Sequence, residues 1–301
     1  MPKTILISII FTFIGLNQHV KAKSCQVDFN QHLSNKVKSE IIKDINATLS
    51  TAGIEKFIIL VGSKTQNFFQ YNYNQTSDTL KFDLASITKV FSSIVLMKIL
   101  REKNIPISTK VKDILSGFDT PRKSQISIED LLRHRSGMKP GVGVDVWQGD
   151  YWKNILNIKA TRIYGEFTYS DINFLYIGKI IEKLTNKNLS YSLHKYITGP
   201  LSLNNTTYKA EDNFCAQTLG DPLRLCKVHD PTSFKLGGLT GHAGIFSSLN
   251  DMQVFTRTLL NQGTWCEKKL VSKNLLNTMT IINPNQSNKR GLGFDLMSPY
   301  S

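Results

Sequence analysis

The sequence predicts a protein of mixed helix and strand, α/β in class, and three local patterns carry that expectation. Two β-rich runs, Phe57 to Val61 and Phe68 to Tyr73, flank the polar stretch 62–67 and form a hairpin. Apolar residues at Ile87, Val90, Ile94, Val95, Met97 and Leu100 recur with helical spacing. A third, strongly apolar segment, Phe174 to Ile181, predicts a buried helix. A chain of 301 residues with 41% hydrophobic and 20% charged residues has material for a full core, as one large domain or two closely joined ones.

The elements follow in order. Lys3, the apolar run Ile5 to Leu16 and the small residues Val20 and Ala22 around Lys21 form a signal peptide, residues 1–22, cleaved after Ala22. The apolar run, about twelve residues, is shorter than the roughly twenty a spanning helix needs, which argues against a membrane anchor. Lipid attachment at Cys25 fits less well, because Ala22 stands where a leucine is usual. The mature N-terminus is helical around Ile41 to Ile45 and leads to the hairpin. Leu84 and Ala85 form the turn before the next helix, with Ser86 at its N-terminus. Ile128 to Leu132 is a short helix, Arg133 to Met138 a turn, and a Gly- and Val-rich loop runs on to Trp147. Glu166 to Asp171 enters the Phe174 helix, and residues 199–240 are irregular, broken by Gly199-Pro200, Asp221-Pro222, Asp230-Pro231 and Gly237-Gly238.

Charge and cysteines narrow the class. Removal of residues 1–22 leaves 35 basic and 23 acidic residues, a formal +12. An exported protein of that charge meets anionic walls and membranes, but a solvated basic surface is the simpler account of it. No helix-turn-helix, zinc-finger or aromatic RNP pattern supports nucleic-acid binding. Cys25, Cys215, Cys226 and Cys266 have no CxxC spacing, against a zinc site. In an oxidising compartment Cys215 and Cys226 can close a small disulfide loop. GxSxG, HExxH, a phosphate-binding Gly loop and useful internal repeats are all missing.

The chemistry concentrates in Ser86-Ile87-Thr88-Lys89. On a helix, residues i and i+3 share a face, so the Lys89 amine lies where it can take the Ser86 proton and start acyl transfer. A chain of this length holds about one Ser-x-x-Lys by chance. A second does occur, at Ser192 to Lys195, but it lies inside an amphipathic helical pattern and is read as coincidence.

Context separates the two. Phe82-Asp83-Leu84-Ala85 before Ser86, the segment Leu131 to Gly137, Tyr169-Ser170-Asp171, and the segment Gly238 to Ser247 occur in the order seen in serine β-lactamase-related hydrolases. The sequence resembles that family, which includes class C β-lactamases, D-alanyl-D-alanine carboxypeptidases and esterase-like penicillin-binding proteins. The resemblance runs from about Ile54 to Ser301 and implies one domain, residues 23–301. It implies an α/β (α+β) sandwich: a mostly antiparallel sheet flanked by helices, with an all-helical insertion walling the cleft. It further implies Ser86 as nucleophile, Lys89 as general base and Tyr169 as proton relay to the leaving group, by way of an acyl-enzyme on peptide, β-lactam or ester bonds. The implied substrate is a small molecule or muropeptide, with cell-wall association and a periplasmic or secreted location; no metal or cofactor is expected, and oligomeric state is left open.

Two departures stand out. The Tyr-x-Asn box of the family ends here in Asp171, a substrate-binding position where an ionised carboxylate cannot donate a hydrogen bond to a β-lactam amide. Asp171 then either pairs with Lys89 or caps the following helix. Second, the family's third box, Lys-Thr-Gly or His-Thr-Gly, is not found. His242-Ala243-Gly244 lies only 73 residues after Tyr169, and relatives carry such a segment in addition to the true box. The resemblance therefore implies a chain truncated at its C-terminus, lacking the third-box strand and those after it, with weak or no turnover. The alternative is a non-catalytic remnant or a ligand- or wall-binding protein on the same scaffold. His229, Asp230 and His242 lack a further ligand at metal spacing, and His134 and His242 are expected to hydrogen-bond loop backbone near the cleft. Trp147 and Trp152 either line an acyl wall or pack.

Overall fold

A computed structural model describes residues 28–29, 33–210, 214–217, 225–281 and 289–297. The expected signal peptide of residues 1–22, Cys25 and residues 298–301 lie outside them.

The helix that follows Ser86 is the axis of the molecule. This helix, α2 (Thr88–Glu102), buries eleven of its fifteen residues, with Phe91, Ile94, Leu96 and Ile99 fully enclosed. An apolar surface on every side requires neighbours on every side. The principal neighbour is α5 (Asp171–Thr185), whose Phe174, Ile177 and Ile181 share the same core. Gly178 of α5 meets Gly241 so closely that a Cβ on Gly241 would strike the Phe174 carbonyl and the Gly178 backbone.

On the strand side, β1 (Asp28–Phe29) runs parallel and β2 (Phe57–Gly62) antiparallel to β3 (Gln66–Tyr73), giving the order β1-β3-β2. The hairpin is tighter than the sequence suggests. Ser63 accepts at Oγ from the Thr65 and Gln66 amides and donates its own N–H to the Gln66 carbonyl, so only residues 63–65 turn. Helix α1 (Asn35–Thr51), capped by Ser34, is tied to β3 by the Tyr71 hydroxyl on Asn46 Oδ1 at 2.6 Å. Helix α9 (Leu249–Leu260) holds the hairpin end through Arg257, which bonds the Ser63 carbonyl at 2.8 Å and Asn67 Oδ1.

Between α2 and the next strand the described chain is helical and irregular, as expected of the helical insertion. It comprises α3 (Ile128–Leu132), α4 (Tyr151–Leu156), α5, α6 (Leu189–Leu193), α7 (Gly199–Leu201) and α8 (Pro231–Lys235). Ser127 and Asp130 form a capping box that starts α3. Two short strands, β4 (Phe82–Asp83) and β5 (Phe246–Ser247), then pair antiparallel, which brings residues 238–247 against the Ser86 turn. The hairpin β6–β7 (Thr264–Trp265, Lys268–Lys269), α10 (Lys273–Thr280) and the hairpin β8–β9 (Lys289–Arg290, Asp295–Met297) complete the described chain. Cys215 and Cys226 form a disulfide, and Cys266 is disulfide-bonded as well.

Candidate active site

Ser86 does not begin α2; it lies in a 3₁₀ turn, Ala85–Ile87, immediately before it. Asp83 is the reason. Its Oδ1 accepts the Ala85 N–H at 2.8 Å, and Ala85 adopts φ +45, a left-handed conformation that costs a non-glycine residue about 1–2 kcal/mol. The turn leaves Ser86 exposed while Lys89, one turn on, is 4% exposed.

The Lys89 Nζ has three oxygen partners. It lies 2.8 Å from Ser86 Oγ, 2.8 Å from Asp171 Oδ1 and 3.2 Å from the His242 carbonyl. Three acceptors satisfy the three N–H groups of an ammonium, which is how a lysine is held inside a fold. The Tyr169 ring centroid is 4.9 Å from the same nitrogen, and Phe174 lies beyond it at 5.8 Å. The four residues Ser86, Lys89, Tyr169 and Asp171 are thus gathered around one amine. Asp171 does not cap α5; Ser170 is the N-cap residue, and the Asp171 carboxylate turns to Lys89 instead.

Tyr169 is held from behind. His134, at φ +56, stacks on its ring at 4.6 Å and accepts the Ser170 N–H at Nδ1, 3.0 Å away. Burial, with Arg290 and Lys89 as neighbouring cations, keeps the His134 imidazole well below its usual range, so its lone pair remains free to accept at neutral pH. Asn173 faces the same nitrogen and accepts the Ser136 hydroxyl at 2.5 Å. The Arg290 guanidinium covers the Tyr169 ring at 5.4 Å and is anchored by Asp295 at 2.9 Å.

The second Ser-x-x-Lys has no such geometry. Ser192 is fully buried and bonds the Asn188 carbonyl, and Lys195 turns to the Tyr196 hydroxyl. Trp147 and Trp152 pack: the former meets Tyr151 edge-on at 5.3 Å, and the latter lies under the Lys179 ammonium at 3.9 Å. Asp230 and His242 pair with each other, and no cluster of three metal-ligating side chains occurs among the described residues.

An exposed serine hydrogen-bonded to a buried lysine, with a tyrosine against that lysine, matches the order of motifs in the chain, and the beta-lactamase family model matches residues 59–299. The chain belongs to the beta-lactamase family. Among curated relatives it is 27% identical over 244 residues to a putative D-alanyl-D-alanine carboxypeptidase of Escherichia coli O157:H7, covering 68% of this chain and 56% of that one. It is 28% identical over 223 residues to an N-acetylmuramyl-L-alanine amidase of Bacillus subtilis, covering 61% and 51%. The chain therefore spans about half the length of these relatives. Its fold matches a putative beta-lactamase from Bacteroides dorei (TM-score 0.66, 17% identity, 85% of this chain, 78% of that one). It also matches an octameric penicillin-binding protein homologue from Pyrococcus abyssi (TM-score 0.67, 19% identity, 85% and 64%). These matches establish the β-lactamase/transpeptidase-like fold.

For this member of the beta-lactamase family, sequence reading weighs Asp230 only as a metal ligand, quotes Asp83 without giving it a role, and misses Arg290. Asp83 lies three residues before Ser86, and an Asx-turn residue there was a usable signal. Arg290 gives no local signal.

Proposed function

We propose that the protein is an exported serine acyl-hydrolase that works through a Ser86 acyl-enzyme. The observation that carries this reading is the 2.8 Å contact between Lys89 Nζ and an exposed Ser86 Oγ. In the reaction, the Lys89 ammonium first releases one proton to solvent, and the amine so formed takes the Oγ proton while Oγ bonds to the substrate carbonyl carbon. The carbon–leaving-group bond then breaks, Tyr169 passes the proton to the departing atom, and water hydrolyses the ester on Ser86. The backbone of the 3₁₀ turn supplies one donor to the developing oxyanion. The second donor, expected on a third-box strand, is assigned to no described residue, so acylation is a more direct readout than turnover.

The relatives named above support a bond of the cell-wall peptide type, with β-lactams and simple esters as the other acyl donors this chemistry accepts. The Asp171 carboxylate, a third exposed, faces that cleft and disfavours substrates that need an amide donor there. The Cys215–Cys226 disulfide and the signal-peptide-like pattern of Lys3, the apolar run Ile5 to Leu16 and Val20-Lys21-Ala22 support export. No helix among the described residues is long and apolar enough to cross a membrane.

Release of D-alanine from a D-alanyl-D-alanine peptide and hydrolysis of an activated ester, each compared with Ser86→Ala, test the activity. Activity in either assay that Ser86→Ala retains in full contradicts the proposal. For export, the first residue of the secreted product should be Lys23.

A further inference from the structure

We infer that the dipeptide His229-Asp230 is a positioning clamp that sets Ser86 and Lys89 in register, with Asp83 and His242 as its two arms. This inference rests on the reading of Ser86 as nucleophile and Lys89 as base. The first arm starts at the nucleophile. Asp83 accepts the Ala85 N–H at Oδ1, fixing the Ser86 turn, and with Oδ2 it accepts the His229 N–H at 2.7 Å. One carboxylate thus ties the turn to residue 229.

The second arm starts at the base. The His242 carbonyl accepts from Lys89 Nζ at 3.2 Å, and the His242 ring, 1% exposed, bonds through Nε2 to Asp230 Oδ1 at 2.8 Å. Its Nδ1 has no hydrogen-bond partner among the described residues, so Asp230 is the one group seen to orient the ring. The same Oδ1 accepts the Ser233 N–H at 2.7 Å and caps α8. Burial alone would raise the Asp230 carboxyl; the His242 bond, the Ser233 amide and the nearby Lys89 outweigh it and hold it below the ordinary carboxylate range. The loop between the arms cannot give easily. Thr240 Oγ1 bonds the Ala243 carbonyl at 2.8 Å, and Thr88 of α2 accepts the Ile245 N–H at 3.2 Å.

Neither Asp230 nor His242 reaches Ser86, and both act through another group. Without the ring held by Asp230, the 242 peptide can tilt between the anchors at Thr240, Ala243 and Ile245, so Lys89 loses a fixed acceptor and Nζ drifts from Oγ. A displacement of about 1 Å at a reacting pair costs on the order of 100-fold in rate.

The test is the two-step acylation of the full chain by an activated acyl ester, read as the binding constant KI and the limiting rate kinact per folded molecule. Asp230→Ser keeps a good helix cap but is too short to reach His242, so it separates the clamp from the fold. The expected result is a kinact about 100-fold lower with KI unchanged, and recovery toward wild type in His242→Gln, whose amide replaces the Nε2 donor. A folded Asp230→Ser protein with wild-type kinact overturns the clamp and leaves the Ser86 reading intact. Equal losses in Asp230→Ser and His242→Gln overturn it as well, because a donor restored at the same place would then make no difference. A folded wild-type chain that takes up no acyl group on Ser86 overturns both readings.

Discussion

Lys123 offers a stability test that is independent of the catalytic reading. It is 2% exposed, donates to the Leu156 carbonyl, and lies over the rings of Phe118 at 4.1 Å and Tyr176 at 5.5 Å. No carboxylate of the described residues bonds it, and burial lowers its amine to about 8 from an ordinary 10.5. At 1.36 kcal/mol per pH unit, that gap corresponds to about 3 kcal/mol of destabilisation whenever the amine must carry its proton in the folded state. Lys123→Met removes the charge and fills the space, but forfeits the Leu156 carbonyl bond and the two ring contacts, together about 2 kcal/mol. The variant should therefore be about 1 kcal/mol more stable than wild type at pH 7. Between pH 8 and 10.5 the unfolded chain holds a proton that the folded one has released, so wild-type stability rises with pH there and the advantage of Met shrinks. Urea denaturation of both proteins at pH 7 and pH 9.5, followed by circular dichroism, measures the difference. A variant less stable than wild type at pH 7, or a difference that does not change with pH, would refute the argument.

Other outcomes follow from the same contacts. Lys89→Ala should slow Ser86 acylation by about 100- to 10,000-fold with the fold retained, measured by stopped-flow ester consumption. Asp171→Asn restores an amide donor and should raise acylation by penicillin relative to a simple ester by about tenfold; an unchanged ratio removes Asp171 from substrate recognition. Replacing Cys215 and Cys226 together by Ser opens an 11-residue separation and should cost about 3 kcal/mol in urea denaturation. Gly241→Ala drives a Cβ into the Phe174 carbonyl between α2's partner helix and the 238–247 loop, and should yield little folded protein in a solubility and circular-dichroism assay.

What the sequence made legible was local. The i, i+3 spacing of Ser86 and Lys89 and the apolar period of α2 are properties of one segment; the helix and the Ser86–Lys89 contact stand where that segment predicts, but Ser86 sits in a 3₁₀ turn before α2 rather than at its start. Helix α3 matches its expected residues 128–132 because Ser127 and Asp130 cap it within three positions. The hairpin stands where its two β-rich runs predict, with a turn narrower than the polar stretch 62–67, because the Ser63 hydroxyl bonds that tighten it leave no periodic trace. The small disulfide loop was an open expectation and is present.

The site beyond the Ser86 turn is tertiary. The His242 carbonyl reaches Lys89 across 153 positions, and Arg133 of the His134 turn bonds the Arg290 carbonyl across 157. No window of sequence contains such pairs. Motif order brings Tyr169 and Asp171 into view, yet which oxygen Asp171 offers to Lys89, and that Ser170 rather than Asp171 stands at the N-cap position of α5, are settled by packing.

The central claim is that Ser86 forms an acyl-enzyme. Intact mass spectrometry of the purified protein after incubation with a penicillin and with an activated acyl ester tests it most directly, with Ser86→Ala alongside and circular dichroism to establish folding. One added acyl group per chain is expected, absent from Ser86→Ala, with the reagent that adds indicating the acyl donor class. A folded protein that gains no mass with either reagent, or a Ser86→Ala protein that gains the same mass, would contradict it.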